Sequence, residues 1–143
     1  MRIDRARLQR DAFPFHVDIA TRFADLDVIG HVNNVAAAGI LMEGRNRFIH
    51  HSEIYKNAHA QLVVASTLIE YAADLLHPAP IEVSVGVLDI GRSSIRLAQI
   101  AAQEGRIGVY AEIVQVTRDD KGSTAIPEAW RPLLEALRMR SLA

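Results

Sequence analysis

The 143-residue sequence predicts an α+β fold: a five-stranded, mainly antiparallel sheet wrapped around one long helix, with a short helix at the C-terminus. Three observations predict it. Residues 35–51 hold many helix formers and no proline, five other runs carry strand patterning, and the last strand is followed by a short amphipathic segment. One long helix for five strands places that helix on a single sheet face.

Residues 1–12 read as a solvated N-terminal arm of one domain spanning residues 1–143. From Pro14, PFHVDIATR alternates, with Phe15, Val17 and Ile19 on one face and His16 and Asp18 on the other, the mark of a half-buried strand. The helix VAAAGILMEGRNRFIHH aligns Ala37, Leu41 and Phe48 in one stripe, with Ala38, Met42 and Ile49 beside it. Gly39 and Gly44 each cost roughly 1 kcal/mol against Ala in a helix interior, so the helix is expected to be buried and closely approached by another backbone. QLVVASTLIEYAADLL is apolar on both faces, as a central strand would be, and IEVSVGVLDI alternates. SIRLAQIAAQ and IGVYAEIVQVT are joined by Glu104-Gly105, a hairpin signal. These last four runs are expected to form an antiparallel meander, whose open edge would suit dimerisation. In the tail, IPEAWRPLLEALRMR puts Trp130, Leu134 and Leu137 at helical spacing.

Composition narrows the function classes. A formal net charge of −1 gives no bulk attraction to nucleic acid or an anionic membrane. No apolar run approaches the roughly 18 residues of a membrane span, and MRIDRARLQRD lacks the apolar core of a signal peptide, so the expected location is the cytoplasm. The absence of cysteine excludes disulfides, thiolate metal sites and thiol nucleophiles. Fourteen of the sixteen basic residues are Arg, which favours bidentate contacts with carboxylate or phosphate.

The polar stretch TRFADLDVIGHVNN, residues 21–34, interrupts this core-forming pattern. Asp25-x-Asp27-x-x-Gly30 imitates a calcium loop, but Ile29 and Ala36 occupy positions that need ligands, so no metal is expected. His50, His51 and His59 read as surface residues. Asn33 and Asn34 can cap the helix, yet so polar an approach to so apolar a helix points to a cleft. Free N–H groups at a helix start stabilise an oxyanion, and a carboxylate such as Asp27 can attack a carbonyl or activate water against it. Acyl transfer needs both parts.

The stretch R-x-x-D-x-D-x-x-G-H-V-N-N, Arg22 to Asn34, resembles the signature of the hotdog-fold acyl-CoA thioesterases related to 4-hydroxybenzoyl-CoA thioesterase. Glu43-x-Arg45, Gly91-Arg92-Ser93-Ser94 and Ile126-Pro127-Glu128 extend the similarity to residues 13–137. The resemblance implies that Asp27 is the catalytic carboxylate and that the backbone N–H near Asn34 polarises the thioester. It also implies a dimer or tetramer with sites at the subunit interface, using no metal or organic cofactor. Gly30, His31, Asn33, Ala37, Glu43, Arg92, Ser93 and Ser94 are the expected substrate-binding positions. Ala37 stands where many relatives carry a bulky aromatic, and Glu43 is an alternative carboxylate.

The expected activity is hydrolysis of a small-molecule acyl-CoA to the free acid and coenzyme A, with Asp27 as nucleophile or general base. The alternatives are hydration or dehydration of an acyl thioester, for which His31 is available, and acyl-thioester binding without turnover.

Overall fold

A computed structural model describes residues 2–56 and 59–141. Strand β1 (Phe15–Ile19) leads through a polar loop into helix α1 (Asn34–Ser52), followed by β2 (Gln61–Tyr71), β3 (Ile81–Ile90), β4 (Ser94–Gln103) and β5 (Arg106–Asp119). A two-residue β6 (Gly122–Ser123) pairs with β5, and helix α2 (Arg131–Glu135) closes the chain. All strand pairs are antiparallel, in the order β1-β3-β4-β5-β2. The sheet thus carries the five expected strands plus the β6 stub, around one long helix. This is the hotdog arrangement. Among the described residues, no helix is long and apolar enough to cross a membrane.

The helix buries its Ala37, Leu41, Phe48 stripe, and Leu41 and Phe48 share one core with Val83, Val85 and Val87 of β3 and Leu97 of β4. Gly44 is the point of closest approach, since a Cβ there would drive into the Val83 side chain. Gly39 faces open space, so a close approach holds at Gly44 alone, and what meets it there is a side chain and not the backbone expected. The helix is also less buried than its composition suggests: Val35 is 76% exposed and Met42 50%. Trp130 and Leu134 bury into the same core.

Two expectations need correction. Only β3, β4 and β5 form a meander. Tight connections at Gly91–Ser93 and Glu104–Gly105 keep them adjacent, whereas the longer loop 72–80 lets β2 lie at the far edge against β5. Apolar on both faces, β2 is therefore an edge strand, with Val64 and Tyr71 about half exposed. The N-terminal arm is not solvated: Ile3, Leu8, Ala12 and Phe13 are buried on the outer sheet face, over Leu88, Ala98 and Ile100. Arg5 reaches Glu70 on β2 and Arg10 grips Glu82 on β3 bidentately, fixing the arm across the four strands from β2 to β3. Its apolar residues follow neither a 2- nor a 3.6-residue period because the arm is built of short 3₁₀ turns.

Candidate active site

The loop between β1 and α1 is a compact hydrogen-bonded unit. A 3₁₀ turn (Phe23–Asp25) presents Asp25, whose buried carboxylate accepts from the Arg22 backbone N–H at 2.8 Å and from the Arg22 guanidinium at 2.8 and 3.2 Å. Arg22 holds the Asp25 carboxyl below the usual carboxylate range, against the opposing push of burial. The Asp25 carbonyl accepts from both the backbone N–H and the side-chain amide of Asn33. Asn33 in turn accepts from the Ala36 N–H at 2.8 Å, which makes it the N-cap of α1. Asp25 and Asn33 thus lock the helix start to the incoming chain.

Between them, Leu26 and Val32 bridge, and a tight turn carries Asp27 outward. The Asp27 N–H donates to the His31 carbonyl at 2.8 Å. Gly30 takes φ +92°, a left-handed conformation that glycine adopts without strain. Asp27 Oδ1 accepts from the Ile29 and His31 N–H groups at 2.9 and 3.2 Å, while Oδ2 has no hydrogen-bond partner among the described residues. Asp27 is exposed, and so are the apolar side chains of Phe23, Val28 and Ile29 in the same stretch. At the adjoining helix start, the N–H groups of Asn34 and Val35 find no acceptor among the described residues. One end of the molecule therefore carries a carboxylate with one oxygen free and, among the described residues, two amide donors without an acceptor.

His31 turns its ring to Asp74, with Nδ1 3.4 Å from Oδ1, and meets Asp27 through its backbone. Ala37 is buried beneath the helix start and lines a cleft of about 210 Å³ with Val32, Tyr71, Asp74 and Leu75. Glu43 is exposed and pairs with Arg47 at 3.0 Å, one turn on. Arg92, Ser93 and Ser94 lie at the opposite end of the sheet. Ser94 opens β4, whose last residue, Gln103, holds the Leu76 backbone near the Asp27 loop. Ten residues of strand separate these ends, about 30 Å. Within one chain, the Arg92 turn and Asp27 do not meet. Among the described residues, no cluster of three or more His, Cys, Asp or Glu could hold a metal ion.

The family model of the thioesterase-like superfamily matches residues 21–137, which takes in the Asp27 loop, α1, every strand after β1, and α2. The chain belongs to this superfamily. Similar solved structures agree with that membership. A Pseudomonas aeruginosa protein is 26% identical with a TM-score of 0.81, covering 93% of this chain and 97% of its own. A Thermus thermophilus thioesterase, solved with coenzyme A and Zn, is 28% identical with a TM-score of 0.79 over 88% of this chain and 95% of its own. Comparison with curated proteins finds no match.

Two residues beside the Asp27 loop have no signal of their own in the sequence. Tyr71 donates its hydroxyl to the Asn34 carbonyl at 3.3 Å, and Asp74 faces His31. Both arrive some 40 residues later in sequence, and a strand end and a loop have no spacing rule that would mark them.

Proposed function

We propose that this chain is an acyl-CoA thioesterase, hydrolysing a small-molecule acyl-CoA to a free acid and coenzyme A. The carrying observation is Asp27, fixed by two backbone N–H groups with one carboxylate oxygen free, at the same end as the unpaired amides of Asn34 and Val35. A thioester carbonyl placed over the helix start develops its negative charge against those amides and the helix dipole. Asp27 either attacks the carbonyl carbon, giving an anhydride that water cleaves, or removes a proton from the attacking water. Either route expels the coenzyme A thiolate, which takes up a proton. The Thermus neighbour, solved with coenzyme A, supports this substrate class.

Hydration of an enoyl thioester needs an acid and a base facing one substrate. The His31 ring faces Asp74 instead, so the hydrolase reading is preferred.

The working unit is a dimer paired along β2. That strand is an unpaired, apolar edge, and Phe23, Val28 and Ile29 stand exposed beside the site. Antiparallel pairing of two β2 edges sets the Asp27 end of one protomer beside the partner's Gln61 end, the end that carries the Arg92 turn. This brings an exposed Arg within reach of coenzyme A phosphates, which no single chain achieves.

The test is Asp27→Asn assayed by thiol release across short, medium and aromatic acyl-CoAs. Loss of turnover by about a thousandfold supports the role; unchanged hydrolysis by a folded variant removes it.

A further inference from the structure

Among the described residues, Arg45 is the one buried arginine. It is 8% exposed, and its single hydrogen bond among the described residues runs from Nη1 to Gln99 Oε1 at 2.9 Å. Gln99 is itself fixed, donating to the Leu41 carbonyl at 2.8 Å. No carboxylate lies within ion-pair distance of Arg45 among the described residues, and Glu43, two residues away, is paired with Arg47. Carboxylates hold Arg10, Arg22 and Arg138 above the ordinary guanidinium range, whereas burial alone pushes Arg45 below it. A guanidinium has five N–H donors, and one is used here.

The same residue lines a groove of about 660 Å³ between α1 and β2, together with Gly39, Met42, Thr67, Ile69 and Tyr71. The groove begins beside the helix start, where Tyr71 meets the Asn34 carbonyl. It runs along the exposed stripe of α1 toward Arg45, eleven residues on and about 16 Å by helix rise. Long side chains lean back toward a helix N-terminus, which shortens the reach from the helix start to the guanidinium. An apolar groove lined by a mostly buried cation with no protein counter-charge among the described residues matches a chain that is apolar along its length and anionic at its tip. A mostly buried charge without a counter-charge is costly, and a ligand carboxylate offsets that cost while matching the planar donors.

We propose that this groove selects a medium-length acyl group ending in a carboxylate, which Arg45 receives as an ion pair. The proposal rests on the thioesterase reading for its substrate and adds the class of acyl group.

Three thioesters of equal chain length test it: suberoyl-CoA, octanoyl-CoA and the terminal-hydroxyl analogue of octanoyl-CoA. The expected result is a wild-type kcat/KM for suberoyl-CoA about ten- to hundredfold above both others. That ratio should fall to about one in Arg45→Met and be partly kept in Arg45→Lys. Thr67→Glu, which puts a carboxylate into the groove opposite an intact Arg45, should abolish it as well and serves if Arg45→Met does not fold. A wild-type ratio near one overturns the proposal, as it would if a second copy supplied the missing carboxylate. A ratio unchanged in Arg45→Met and Thr67→Glu also overturns it. Should no thioester release thiol, the hydrolase reading fails, and calorimetry with free suberate and octanoate decides the groove independently. Suberate binding that is lost in Arg45→Met supports the proposal, and equal or absent binding of the two acids refutes it.

Discussion

Two aspartates stand two residues apart in the loop before α1, and the molecule uses them in opposite ways. Asp25 is buried, with both oxygens occupied by Arg22 and its carbonyl by Asn33. Asp27 is exposed, with one oxygen held by the loop backbone and the other free. The difference teaches how one loop can hold two carboxylates: the first aspartate fixes the loop, so the second need not hold structure with its free oxygen, as the catalytic role proposed for Asp27 requires. Residue type alone does not separate them. Their partners do.

The largest expected effect breaks the comparison on the chemical side. Asp27→Asn should lower acyl-CoA turnover by about a thousandfold, with a melting temperature close to the parent's, measured by thiol release and thermal denaturation. Asp25→Asn should do the reverse. It removes charge-assisted bonds at a buried group and should cost about 2 kcal/mol by denaturant unfolding, a figure kept low because Arg22 is mostly exposed. The folded Asp25 carboxyl titrates below its unfolded value, so its contribution is present above the ordinary carboxylate range near 3.8 and is lost as pH falls through the depressed value. Asn33→Ala removes the cap and should cost about 1 kcal/mol, with a smaller rate loss as the helix start loosens.

The smallest effect supplies a control. His16, on the outer sheet face, bonds Ser84 at 2.6 Å, and burial, with Arg10 and Arg140 adding to it, lowers its pKa from 6.5. The unfolded chain then binds more protons, so stability is full above pH 6.5 and declines as pH falls from there to the depressed value. His16→Gln should flatten that slope in denaturation curves, and the slope must be known before a pH–rate profile is assigned to Asp27.

Much of this was legible in the sequence. The alternation in β1, the Glu104-Gly105 hairpin and the Ala37, Leu41, Phe48 stripe each follow from a local period, and each survives in the structure. The Arg22–Asn34 stretch located the loop because a polar run before an apolar helix is conspicuous. The place of β2 was not legible, because apolarity on both faces marks a strand covered on both sides whether the cover is its own chain or another. The arm was missed for want of a period. The pairing of His31 with Asp74 and the isolation of Arg45 arise from contacts across the fold, which one segment does not encode.

The most direct measurement takes Asp25→Asn and Asp27→Asn side by side, each followed by urea unfolding and by single-turnover hydrolysis of one accepted acyl-CoA. The account predicts a crossed result: Asp27→Asn keeps its unfolding midpoint and loses the chemical step, while Asp25→Asn unfolds earlier and, while folded, retains most of its rate. Equal loss of rate in both variants, or a fully active Asp27→Asn, would contradict the division between a structural and a reactive aspartate.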